Sequence, residues 1–398
     1  MTRSDDPVAS CQCTRAAFSP VAMCFFLVFA ASIDLIYATR LEAMTVDPAE
    51  NTASAVSIAL SEFGANSLRK VSMGAGSNVL GVKVADNSSP QSDPSGYRVF
   101  DPSSFWYAPI PYDAPLDPNS ANFVVEFLRQ IRAFYGHAGI NTAAYSSPIY
   151  VIGADVAAVP VAQWDCHKTG YHDNQLDQMW RAVPIPSYAQ AADGTDSEMT
   201  VYQPATDTMW EFWHARETDG HWEACWGGRM LNVSKNIGIW PPHYGTTATG
   251  LPFMGGQIAV DELRHGAINH AIGIALVEAE HWNIYSWPAN RSDGYNPLHL
   301  PNRIPEGLRF RLDPSVEVGA LQIHPIAKII ARAAQTYGFV VWDKAGAVSL
   351  RAENPKRFTV VGQPNPYLSL WEGVPSSKIL EGFPWDRLQF LPMDYGRP

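Results

Sequence analysis

Apolar positions recur about every 3.6 residues in two stretches of the chain and alternate through most of the remainder. After Asn119-Ser120, which supply a cap, Phe123, Phe127 and Ile131 repeat every fourth residue with Val124 and Leu128 beside them. Gly136 provides a stop, and the spacing predicts an amphipathic helix. Pro325 opens a second helix over 325–337, in which Ile326, Ile329, Ile330, Ala333 and Tyr337 share a face and Gly338 follows the end. Alternation predicts strands over 199–203, 209–216, 222–226 and 268–276, and a hairpin over 339–351 that turns at Lys344-Ala345-Gly346. Runs of strands with few helices predict a mainly β fold. The expected form is an antiparallel, jelly-roll-like β-sandwich in a single domain over 101–398, with a few peripheral helices.

Turn chemistry fixes a register in the middle of the chain. Asp219-Gly220 is a strong two-residue hairpin turn; it pairs Thr218 with His221, Trp213 with Trp226 and Glu211 with Gly228. The four-residue loop Pro204–Asp207 pairs Gln203 with Thr208, Thr200 with Glu211 and Glu198 with Trp213. Side chains alternate along a strand, so Asp196, Glu198, Glu211, Trp213 and Trp226 are expected on one face. Glu198 and Glu211 become diagonal neighbours at most about 7 Å apart, compatible with the carboxyl separations of either retaining or inverting glycosidases. Gly227-Gly228 is expected to leave open space beside Glu211. A carboxylate pair, two indoles and a gap make a sugar-binding sheet face; the competing reading is a solvated acidic face with a cross-strand Trp pair. A slip of one residue would exchange the faces.

Composition narrows the class. The chain has 398 residues, a net charge of −11 and only 17% charged residues, and its 28 Lys and Arg do not cluster, which argues against a dedicated nucleic-acid binder. Aromatic residues make up 12%, as suits β-sheets with ring-bearing faces. The apolar run over 21–33 follows Arg3 and Arg15 and is too short for a bilayer span of about 20 residues. Residues 1–40 are therefore expected to be a signal peptide or an N-terminal membrane anchor, and 41–100, rich in Ser, Asn, Asp and Gly, a low-complexity linker. Export would make the protein extracytoplasmic, secreted or anchored. Cys11, Cys13 and Cys24 fall in or before that segment, leaving Cys166 and Cys225 as a disulfide pair or two buried thiols.

No cofactor is expected: the Gly clusters lack a phosphate-binding pattern, and no G-x-S-x-G elbow occurs. No metal is expected either, since Cys166 and His167 lack ligand spacing. His270 alternates in phase with Ile268, Ile272 and Ile274, which reads as a hydrogen-bonded core residue or as a base or substrate contact.

Several pieces carry a resemblance: Ser104-Phe105-Trp106-Tyr107, Gly194-Thr195-Asp196, Trp210–Trp213, Trp226-Gly227-Gly228, Gly266–Ala271, Trp287-Pro288-Ala289, Ile304–Pro314 and Phe383–Leu388. In this order they resemble a group of exported, mostly actinobacterial proteins, over about 104–390. The resemblance implies an exported, β-rich domain and supplies no reaction. Its relatives often carry His where Glu198 stands, whereas Asp196, Glu211 and His270 match the pattern.

The leading expectation is an exported carbohydrate-active enzyme, a glycoside hydrolase acting on a polysaccharide or cell-envelope glycan. Glu211 is the first acid/base candidate and Asp196 or Glu198 the second carboxylate. Trp213, Trp226 and Trp287 would bind substrate and His270 would orient it, or act as the base of a polysaccharide lyase. The alternative is a non-catalytic glycan-binding or envelope protein, touching a membrane only through its N-terminal segment.

Overall fold

A computed structural model describes residues 98–398. The apolar N-terminal run, nearly all of the linker, and Cys11, Cys13 and Cys24 lie outside the described residues. The first helix, α1 (Ser120–Ala133), ends three residues before Gly136. Three short strands follow, β1 (Gly139–Asn141), β2 (Ile149–Val151) and β3 (Val161–Gln163), then α2 (Asn174–Trp180). The central segment holds β4 (Met199–Gln203), β5 (Thr208–Trp213), β6 (Arg216–Thr218), β7 (His221–Ala224) and β8 (Trp226–Leu231). Two short helices, α3 (Phe253–Gly256) and α4 (Val260–His265), lead to β9 (Ile272–Leu276) and β10 (Arg309–Leu312). The C-terminal third contains α5 (Pro325–Thr336), β11 (Phe339–Lys344), β12 (Ser349–Arg351), α6 (Lys356–Thr359), α7 (Tyr367–Leu370) and β13 (Leu388–Phe390).

The fold is mainly sheet with few helices, as the alternation predicts. Its three sheets are mixed, however, and not wholly antiparallel: β1–β12, β9–β11, β2–β4 and β3–β7 pair in parallel. The largest sheet has the order β1-β12-β9-β11-β10-β13. Here the expected hairpin over 339–351 is corrected. The two strands do not pair with each other, because β9 lies between them, parallel to β11 and antiparallel to β12. Every residue of β9 is buried, and the central position covers both faces of this apolar strand. The second sheet, β2-β4-β5-β8, and the third, β3-β7-β6, come mostly from the central segment.

Two large apolar clusters fill most of the interior, beside a small third one of Ile110, Ala114 and Leu391. One gathers Phe127 of α1 and Ile330 of α5 with Ile272, Ile274, Phe310, Phe339 and Val341 of the six-stranded sheet. Val340 and Trp342 alternate to the other face of β11 and join the second cluster, with Val201 and Phe212 of the four-stranded sheet and Trp106, Trp180 and Trp240. Trp342 lies close over Gly273 of β9, where a Cβ would come within 2.3 Å of the indole; any larger residue there would displace the ring. The helix over 325–337 forms nearly as predicted, with Pro325 at its first turn and Gly338 past its end. No helix of the described residues is long and apolar enough to cross a membrane.

Candidate functional site

The predicted register of the central segment holds within the strands, but the expected pairing of Glu198 with Trp213 lies beyond the ladder, which ends at Met199 opposite Phe212. Thr218 pairs with His221, Trp213 with Trp226 and Glu211 with Gly228, while Thr200 faces Glu211 and Gln203 faces Thr208. Asp219 and Gly220 have φ of 52° and 79°, the two positive values that the hairpin turn requires. No bulge separates Glu211 from Trp213. The long hairpin is nevertheless divided: His214, at φ 51°, breaks the strand, and β6–β7 continue in a different sheet from β5–β8.

The face shared by Glu211, Trp213 and Trp226 is covered at one end and open at the other. The covering segment is 240–253. At Gly228 a Cβ would lie 3.0 Å from Tyr244 and 3.2 Å from the Trp240 ring, and at Gly227 one would meet the Glu211 carbonyl at 2.0 Å. The expected gap beside the glycines is thus corrected: these positions are small because neighbours fill the space. Glu211 is fully buried. Its Oε1 accepts from the Phe253 amide (2.6 Å) and its Oε2 from Trp240 Nε1 (3.1 Å) and Thr246 Oγ1 (3.0 Å). Burial pushes its carboxyl up to about 7, against those three donors and the more distant Arg351. Glu198 is only 2% exposed, and its Oε2 has no hydrogen-bond partner. Burial also raises its carboxyl to about 7; Arg351 opposes the shift and Asp196 adds to it.

One strand step of two residues, roughly 7 Å, carries the same face to the edge of the 240–253 cover, where Trp226 stacks on Tyr244 and donates to the His243 carbonyl at 2.9 Å. There Trp213 and Trp226 line a cleft of about 440 Å³ together with Asp196. Its second wall is the segment 164–171, which brings Trp164, Asp165, His167 and Tyr171 to the cavity. The His167 ring lies 5.5 Å from that of Trp213, and the Tyr171 ring 6.2 Å from that of Trp226. This wall is fastened by a disulfide between Cys166 and Cys225, with Cα atoms 5.6 Å apart, and by a hydrogen bond from Trp164 Nε1 to the His214 carbonyl (3.0 Å). Arg216 stacks on Trp164 at 3.9 Å.

The third wall carries Arg291, Asp293, Asp343 and Lys344. Arg291 donates to the carbonyls of Tyr244 (2.7 Å) and Thr247 (2.8 Å), pinning the edge of the cover. Asp343 and Lys344 both line the cleft, just past a register shift in the β9–β11 ladder between Val341 and Asp343. Such bulges re-aim side chains beside sites. Asp343 Oδ2 accepts from Arg351 Nη2 at 2.6 Å. Burial raises the Asp343 carboxyl, and the Arg351 guanidinium opposes that shift.

The structure therefore brings Asp196, Trp213 and Trp226 to one cleft and places Glu198 and Glu211 behind its wall. Trp287 lies elsewhere, lining a separate cavity with Tyr285 and Asp394 and packing against Phe105 at 5.3 Å. His270 precedes β9 instead of lying within it; it is buried, with Nε2 3.0 Å from Glu262 Oε2 and Nδ1 2.8 Å from the Ala271 carbonyl. It does not line the cleft. Sequence reading missed Trp164 and Tyr171, although they flank Cys166, and Asp343, which lies just past a bulge that alternation does not reveal. Among the described residues, the group of potential metal ligands that stands out is Cys166, His167 and Cys225, and both sulfurs are committed to the disulfide. Comparison of the chain with protein-family profiles, curated proteins and solved structures gives no match in any of the three.

Proposed function

We propose that the chain is an exported carbohydrate-active protein whose cleft binds a saccharide. The carrying observation is the pair of indoles, Trp213 and Trp226, opposite each other across two strands at the rim of a cleft that also holds Asp196, Asp293 and Asp343. Ring faces stack on the apolar faces of sugars, while carboxylates accept hydrogen bonds from hydroxyls. The volume lies within the roughly 300–1,000 Å³ of small-molecule sites. The disulfide suits an oxidising compartment outside the cytoplasm. Titration of the intact protein against a panel of oligosaccharides, followed by tryptophan fluorescence, tests this reading. Trp213→Ala or Trp226→Ala is expected to weaken the best ligand about tenfold, roughly 1.4 kcal/mol, with little loss of stability. Retention of full affinity in both variants would refute the reading.

Glycoside hydrolysis is a second reading, favoured by one observation: Asp343, whose carboxyl burial raises and its Arg351 partner lowers, shares the cleft with Asp196. A raised carboxyl serves as general acid and a second carboxylate as base or nucleophile. Release of reducing ends that stops in Asp196→Asn, with binding preserved, would support hydrolysis. Binding without turnover in the wild type would leave the cleft as a recognition site.

A further inference from the structure

A second cavity of about 440 Å³ neighbours the first, and Asp196 and Lys344 line both. Both cavities carry rings, Trp213 and Trp226 in the first and Tyr135 and Tyr145 in the second. The second differs in bringing Ser349 and Arg351 of β12 to the cavity, with Ser376, Ser377 and His137. Ser349 and Arg351 are two apart on one strand and present the same face, while Leu350 between them turns into the core.

Both residues are 3% exposed, and each holds an unused polar atom: neither Ser349 Oγ nor Arg351 Nε has a hydrogen-bond partner. Arg351 is not loose. Its Nη2 donates to Asp343 at 2.6 Å, and its guanidinium packs over Phe253 and Trp342 at 5.0 and 5.5 Å. A guanidinium fixed in place with a spare N–H and a hydroxyl two residues away on the same strand face suit an acceptor that is itself charged; the Lys344 ammonium is turned to the Asp293 carbonyl at 2.7 Å. Asp196, the one acidic residue lining this cavity, also lines the first and disfavours a carboxylate beside it, which directs one to the Ser349–Arg351 end.

We propose that this second cavity is an acid-group subsite, so that the two cavities together take a saccharide bearing carboxylates, a uronic-acid chain, with its sugar rings on Trp213 and Trp226 and a carboxylate against Ser349 and Arg351. The inference rests on the saccharide reading of the cleft and extends it to a substrate class.

Calorimetric titration of the intact protein with oligogalacturonate, with its neutral methyl ester and with galacturonate monomer tests it. The free acid is expected to bind about tenfold more tightly than the ester, which has the same rings without the charge. Ser349→Ala should remove several-fold of that advantage and leave ester affinity unchanged. Arg351→Lys, which keeps the charge opposite Asp343 but lacks the second N–H, should do the same; if that variant fails to fold, Ser349→Ala decides. Equal affinity for acid and ester, or an advantage that survives Ser349→Ala, would overturn the acid subsite and leave the saccharide cleft standing. Monomer binding that depends on Ser349, with no oligosaccharide retained, would keep the subsite and overturn the cleft reading. Silence toward all three ligands would overturn both.

Discussion

At the scale of single residues, Glu211 separates a structural carboxyl from a catalytic one. Three donors converge on it and no acceptor does. Above about pH 7, where the ionised carboxylate accepts from all three, Glu211→Gln turns one end of the group into a donor, so either the Phe253 amide or Trp240 Nε1 loses its acceptor in a dry site. The expected cost is about 1–3 kcal/mol, read as a lower urea midpoint, while saccharide affinity of the folded variant stays within twofold. A large loss of affinity at unchanged stability would return Glu211 to the cleft chemistry. Glu198 and Glu211 also set a pH dependence. The native state holds their protons up to about pH 7, whereas an unfolded glutamate loses its proton near 4.3. Between those values the native state binds more protons, so stability falls as pH rises from about 5 to 7 and then levels off. The melting temperature should be higher at pH 5 than at pH 8, and the difference should shrink in Glu211→Gln. A flat or rising profile would show that both carboxyls are ionised in the fold.

At the scale of elements, the disulfide holds the 164–171 wall against the β7–β8 junction across 59 residues of sequence. Closing a loop of that length restricts the unfolded chain by about 4 kcal/mol in the entropic account. The double variant Cys166→Ala, Cys225→Ala should therefore melt several degrees lower. It should also bind saccharide more weakly, because Trp164, His167 and Tyr171 lose their anchor; unchanged affinity would mean that the other contacts position this wall alone. What the sequence could disclose follows the same division by element. The β4–β5–β8 register was legible because it is set locally, by Pro204–Asp207 and by Asp219-Gly220. Turn residues carry that information within a few positions. The pairing of β9 between β11 and β12 was not legible, since it joins residues 67 to 76 apart and depends on burial of a strand apolar on both faces. The cleft was legible in half. Asp196, Trp213 and Trp226 followed from parity, whereas the burial of Glu211 depended on the 240–253 cover, a segment with no periodic signal. Parity tells which residues share a face but not what lies over it.

At the scale of the whole molecule, β11 joins the two large apolar clusters. Phe339 and Val341 belong to the cluster beneath α1 and α5, and Val340 and Trp342 to the one that backs the cleft. A strand in the middle of a sheet cannot release one face and keep the other, because its hydrogen bonds to β9 and β10 serve both. The clusters should consequently unfold together despite the division into three sheets. Four of the largest buried indoles, Trp106, Trp180, Trp240 and Trp342, lie in the second cluster, so near-ultraviolet circular dichroism reports on that side. Amide exchange along α1 and α5 reports on the other. Both probes should give one urea midpoint. Trp342→Ala, which empties the joint over Gly273, should lower both by the same amount, at a cost of about 3–5 kcal/mol. If the indole signal moved while exchange in the helices kept its midpoint, the two clusters would be independent, and the cleft would rest on a unit that folds without the helical side.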